Sequence, residues 1–157
     1  MEATTDSVGP VRLTGLASWL LAQVSTHAGR LVGDGFAEVG ARGYHFRLLA
    51  TLDEIGPVSQ AVLARGSGIH PTDIVGALDE LVGQRLVVRS TDPSDRRRNI
   101  ITLTEAGRRR LAVLDAQINA VQDELLAPLP AADRENLRRI LVRLLEHHNA
   151  QVAAAHG

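Results

Sequence analysis

The stretch LDELVGQRLVVRSTDPSDRRRNIITLTEAG, residues 78–107, decides the fold. It begins inside an amphipathic helix, because Ile74, Ala77, Leu78 and Leu81 recur at helical spacing over residues 71–84. After Gly83 the period changes. Arg85–Ser90 and Asn99–Leu103 are short and rich in β-branched residues, and they flank the polar loop Thr91-Asp92-Pro93-Ser94-Asp95-Arg96-Arg97-Arg98. This pattern predicts a hairpin with a long basic tip, after which Thr104 is placed to cap another helix.

Upstream, His70-Pro71 puts proline at the first helical position of the 71–84 helix. Ser59 reads as the cap of a short helix containing Ala61, Val62, Leu63 and Ala64, closed by Gly66-Ser67-Gly68. A helix over Tyr44–Glu54 presents Phe46, Leu49 and Leu52 and stops at Gly56-Pro57. Between Val11 and Val39 the stripe Leu13, Leu16, Leu20, Val24, Leu31, with His27 in register, predicts one long helix. Downstream, Leu111, Leu114, Ile118, Val121 and Leu125 alternate spacings of 3 and 4 as in a coiled-coil seam. Pro128 and Pro130 end that helix, and a last one starts at Ala131 with Leu137, Ile140, Leu141, Leu144 and Leu145 on it.

The fold class expected is mainly α with a small β-hairpin wing. Two short helices with a tight turn, then two strands with a basic loop, make a winged helix-turn-helix lobe over residues 43–103. It lies between an N-terminal dimerisation helix, 11–42, and C-terminal dimerisation helices, 104–157, behind a flexible tail, 1–10. The seam and the first helix carry more apolar surface than a lone winged helix covers, which calls for a partner chain. A heptad pattern fixes packing and not the partner, so contact of the seam with the last helix of the same chain stays open.

The chain has 157 residues, 45% hydrophobic and 22% charged, enough for one ordinary domain or two small ones. Its net charge is -1, but residues 85–110 hold eight arginines against three carboxylates while the remainder holds nine against fifteen. One face is therefore expected to be electropositive. The sequence contains neither Lys nor Cys, which excludes Schiff-base and P-loop lysines, thiol nucleophiles, disulfides and Cys-ligated metals. No signal peptide or membrane span is evident, so a cytoplasmic protein without a membrane partner is expected. Gly66-Ser67-Gly68 is too short for a nucleophile elbow or phosphate loop, HExxH is absent, and His147 and His148 are adjacent rather than i, i+4. Neither an enzyme nor a cofactor or metal is expected.

Four motifs carry a resemblance: Leu63-Ala64, then Leu78-x-x-Leu81-x-x-x-x-Leu86-Val87-x-Arg89, then Asp92-Pro93-x-Asp95-Arg96-Arg97, then Leu103-Thr104-x-x-Gly107. Together they resemble the MarR family of bacterial transcriptional regulators, most closely over residues 60–110. The resemblance implies a homodimer built from the terminal helices, each lobe placing a recognition helix in the major groove of double-stranded DNA and a wing in the neighbouring minor groove. It also implies regulation of transcription on a pseudo-palindromic operator, more often by repression, and a cleft for a small aromatic or anionic ligand.

On this reading the candidate base readers are His70, Pro71, Thr72, Asp73, Val75 and Gly76 at the start of the 71–84 helix. Thr72 can donate to a base or pack on a thymine methyl, and Asp73 can accept from a cytosine amino group. His70 can instead be only a cap, and Asp73 only a complement to the helix dipole. Gly76 departs from the resemblance, since many family members carry a basic or larger polar residue there. Arg96, Arg97 and Arg98, with Arg89, suit a narrow negative minor groove. Asp95, carried over from the motif, is expected to orient Arg97, and Ser59 and Gln60 to bind phosphate. Of Arg108, Arg109 and Arg110, three in a row on a helix, at most two can face DNA. Trp19, His27, Arg30, His45 and Arg47 are candidates for the ligand cleft. Leu13, Leu16, Leu20, Leu111, Leu114, Ile118, Val121, Leu125, Leu141 and Leu144 are candidates for the dimer interface. The competing reading is a winged-helix adaptor that binds protein instead of specific DNA.

Overall fold

A computed structural model describes residues 8–156; the part of the expected tail before residue 8 lies outside the described residues. The elements are α1 (Val11–Thr14), α2 (Ala17–Glu38), α3 (Gly43–Ile55), β1 (Val58–Ser59), α4 (Gln60–Ser67), α5 (Pro71–Gly83), β2 (Val87–Thr91), β3 (Asn99–Leu103), α6 (Glu105–Leu125) and α7 (Ala131–Ala155). They fall into two compact units, one reaching to Val121 and the other starting at Gln122. Among the described residues no helix is long and apolar enough to cross a membrane.

In the first unit α3, α4 and α5 pack on a three-stranded antiparallel sheet of order β1-β3-β2. Leu48, Leu49 and Leu52 of α3, Leu63 of α4, Ile74, Leu78 and Leu81 of α5, and Ile101 of β3 are buried together. β2 and β3 form the wing, in register from Val87 opposite Leu103 to Thr91 opposite Asn99. β1 is an addition to the expected hairpin. Only two residues long, it pairs Val58 with Ile101, too short a run to show alternation in the sequence.

Three expectations about the helices need correction. The long first helix is broken, because Gly15 closes α1 and Leu16 takes an extended conformation (φ -103°, ψ 113°) before α2 starts. The first wing strand begins at Val87 rather than Arg85, because Arg85 has a left-handed φ of 61° and its N–H closes α5 on the Val82 carbonyl. The third concerns the seam. Leu111, Leu114 and Val121 are buried within the chain, and Ile118 packs on the same core, so these four do not await a second subunit. α6 docks on its own lobe: Val121 contacts the Cβ side of Gly35 in α2, Gln117 donates to Glu38 at 2.9 Å, and Arg108 donates to Asp53 of α3 at 2.9 Å.

In the second unit Pro130 starts α7, whose first turn is tied back by Arg134 donating to the Leu129 carbonyl (3.0 Å) and to Asp123 (3.0 Å). α7 buries none of its residues, and Ile140, Leu141, Leu144 and Leu145 are exposed.

Candidate nucleic-acid interface

Ser59 caps α4 by accepting from the Val62 N–H at 3.3 Å, and Gly68 ends α4 at φ 64°, a left-handed turn that suits glycine. The open carbonyls of that turn are held by Arg47, which donates from Nε to Ser67 (2.9 Å) and from Nη2 to Gly68 (2.7 Å). The turn fixed in this way delivers His70 as the N-cap of α5, with Pro71 in its first turn. His70 Nδ1 accepts from the Thr72 N–H at 3.2 Å and lies 2.7 Å from the Thr72 hydroxyl. Thr72, Asp73, Val75 and Gly76 are all exposed.

The wing tip is built from two side-chain-capped turns. Asp92 accepts from the Ser94 N–H (2.9 Å) and hydroxyl (2.7 Å), and Asp95 accepts from the Arg97 N–H (3.0 Å) and guanidinium (3.1 Å). Asp92 and Arg98 close the loop through their backbones at 2.9 Å. Arg97 is thereby fixed at one end by Asp95 while its side chain stays 90% exposed. At the wing base Arg89 donates to Asp79 of α5 at 3.0 Å, so it braces the wing against the helix.

The start of α4, the start of α5 and the wing enclose one concave surface of about 1010 Å3, lined in part by Gln60, Arg65, His70, Arg97 and Arg98. Of the candidates, Ser59, Gln60, His70, Pro71, Arg97 and Arg98 line this hollow, whereas Asp73 and Gly76 line a smaller cleft between α3 and α5. Ser59 is the exception in role: it is buried and committed to capping. Sequence reading missed Arg65 and the structural roles of Asp79 and Asp92, although the Asp-Pro-Ser turn signal was present for the last.

The five ligand candidates do not come together. Arg47 is used in the α4 turn, His27 is exposed, and Arg30 lies within 3.9 Å of Asp34 one turn on. His45 is buried; its Nδ1 accepts from the Arg42 N–H at 3.4 Å and its Nε2 donates to Glu80 of α5 at 2.7 Å. Only His45 of the five lines the small cleft between α3 and α5, of about 170 Å3, beside Tyr44, Asp73, Gly76 and Glu80.

The hydrogen bonds from Arg97 hold the Asp95 carboxyl below the usual range, and those from Ser94 do the same for Asp92. A depressed carboxyl stabilises the fold above its ordinary value and loses that contribution as pH falls through the lower, folded one. Carboxyl titration followed by NMR should therefore give midpoints below 3.8 for both groups, with the Arg97 and Ser94 amides shifting in step. Midpoints at or above 3.8 would mean that the tip turns are open in solution.

A helix-turn-helix continued into a basic β-wing is the architecture of a DNA-binding transcriptional regulator. The comparisons specify which kind. A model of the MarR family matches residues 40–98. A probable transcriptional regulator from Pseudomonas aeruginosa is 32% identical over 85% of this chain and 99% of its own, with a TM-score of 0.75. A MarR-family regulator from Rhodococcus sp. RHA1 is 30% identical over 82% of this chain and 91% of its own, with a TM-score of 0.74. The repressor CouR, from Rhodococcus jostii RHA1, was solved on a 23-mer DNA duplex (29% identity, 86% and 96% covered, TM-score 0.79) and with p-coumaroyl-CoA (32%, 82% and 91%, 0.69). This chain belongs to the MarR family.

Proposed function

We propose that the protein is a cytoplasmic repressor that binds a pseudo-palindromic operator in double-stranded DNA as a homodimer, with α5 in the major groove and the wing in the adjacent minor groove. The observation that carries this reading is the single concave surface joining the starts of α4 and α5 to Arg97 and Arg98. A guanidinium held by Asp95 at a tip that projects from the lobe matches a narrow, negative groove. The second chain is assigned to the exposed apolar residues of α7 and to Leu16 of the N-terminal segment, since the α6 seam is already occupied. Control by a small aromatic or anionic ligand is part of this reading, supported by the binding of p-coumaroyl-CoA, an aromatic and anionic thioester, to CouR.

Arg97→Ala should weaken DNA binding by roughly 1–3 kcal/mol, most on duplexes with A·T-rich flanks. Arg109→Ala removes the same charge from an exposed position on α6 and should act only through the long-range field, fading as salt screens it. Affinities at matched ionic strength distinguish them. Equal losses without dependence on flanking sequence would make the wing a generic charged surface, and no binding to any duplex would favour the adaptor reading.

A further inference from the structure

The first turn of α5 contains a hydrogen-bond pair whose polarity can be worked out. The backbone N–H of Thr72 can only donate, and it points at His70 Nδ1 from 3.2 Å. Nδ1 must therefore carry a lone pair and not a proton. The Thr72 hydroxyl, 2.7 Å from the same nitrogen, then has one consistent role, which is to donate its hydrogen into that lone pair as well. Neutral His70 keeps its own proton on Nε2. The consequence for Thr72 is specific: its hydrogen is consumed inside the helix cap, and its oxygen offers only lone pairs to anything outside.

We infer that Thr72 is a specificity-determining residue that selects an exocyclic amino group, adenine N6 or cytosine N4, in the major groove, and that His70 imposes this choice by holding the hydroxyl hydrogen. The inference rests on the DNA-reading role proposed for α5. Among major-groove atoms only those amino groups are donors, whereas guanine N7 and O6, adenine N7 and thymine O4 are acceptors. An acceptor-only threonine facing one of the latter leaves two oxygen or nitrogen lone pairs opposed. The adjacent Asp73 is also an acceptor when ionised and Val75 has no polar atom; the His70 Nε2–H is the side-chain donor left on this exposed turn, so an acceptor edge would be met by His70 and an amino group by Thr72. Free to rotate, a threonine hydroxyl reads either kind of edge; tied to His70, it reads one.

The test removes single atoms. Bound sequences are first selected from a randomised duplex pool. In the selected duplex each adenine is then replaced singly by unsubstituted purine, each cytosine by pyrimidin-2-one, and each purine by its 7-deaza form. The first two changes delete an amino group and the third deletes the N7 acceptor. Affinities are measured for the unmodified protein, Thr72→Val, Thr72→Ser and His70→Ala. At least one amino deletion should weaken the unmodified protein and Thr72→Ser roughly tenfold, but Thr72→Val by less than about twofold, the difference expected of one hydrogen bond. In His70→Ala the released hydroxyl should still register the amino deletion, but should tolerate replacement of that base pair by one presenting an acceptor at the same place, a change that the unmodified protein rejects. Coupling of Thr72 to an N7 position, or to no amino group, overturns the inference while leaving the DNA-reading role intact. A pool in which no sequence is enriched removes that role, and the inference with it.

Discussion

Leu114→Asp is expected to abolish the cooperative unfolding transition of the winged lobe rather than to separate two folded subunits. Leu114 is 0% exposed and belongs to the cluster that holds Leu48, Leu52, Leu63, Ile74, Leu78 and Ile101. Losing a buried leucine costs about 2–5 kcal/mol, and an unpaired carboxylate in its place adds several more. The sum is comparable to the whole stability of an ordinary domain, about 5–15 kcal/mol. Urea titration followed by circular dichroism is the direct measurement. Leu144→Asp provides the contrast, because Leu144 lies exposed on α7; that variant should keep the transition and lose only its dimer. A Leu114→Asp protein that unfolds cooperatively and sediments as a monomer would return α6 to the subunit interface.

Gly107→Ala should also be strongly destabilising, although it adds one methyl group. A Cβ at this position would run into the Leu86 carbonyl oxygen and the Leu103 side chain. That crowding follows from how α6 starts. The Thr104 N–H donates to the Leu86 carbonyl at 3.1 Å, its hydroxyl lies 2.8 Å from the Arg85 carbonyl, and the Gly107 N–H donates back to that hydroxyl at 3.0 Å. The first turn of α6 is thus bolted to the turn between α5 and β2, and it cannot retreat without breaking these bonds. Overpacking against backbone costs about 3 kcal/mol, which for a protein of this size lowers Tm by on the order of 10 °C. Calorimetry checks it; an unchanged Tm would show that α6 is free to shift away from Leu86.

The same two helix positions explain how far the sequence could be read. Leu103-Thr104-x-x-Gly107 was visible as a motif, and its cause is the close approach just described, which only a three-dimensional neighbour reveals. The wing, α4 and α5 were legible because their signals are local: Ser59 and His70-Pro71 at helix starts, Gly68 at an end, and the polar loop 91–98 between two β-rich runs. The seam misled because a 3-4 spacing records that one face of α6 is covered and not by what; Gly35 and Phe36 of α2 lie in the same fold to cover it. Arg47 and His45 misled for a related reason. A polar side chain among apolar neighbours needs a partner, and here the partners are the α4 turn and Glu80, both distant in sequence and neither a ligand.

Gly76 sits on the exposed side of α5 with a helical backbone, and a Cβ built on it meets nothing within 4 Å. No packing, turn or strain holds a glycine there, and in a helix interior glycine is worse than alanine by about 1 kcal/mol. The position is therefore open space on α5, at the edge of the cleft that His45 and Glu80 line, and the fold does not require a glycine there. A side chain other than proline can be introduced there without a clash at its Cβ and gains helix stability. With α5 in the groove as proposed, a substitution at Gly76 would change what the helix presents to DNA without first requiring stabilisation elsewhere, so that changes of target and preservation of the fold are, at this one residue, not in conflict.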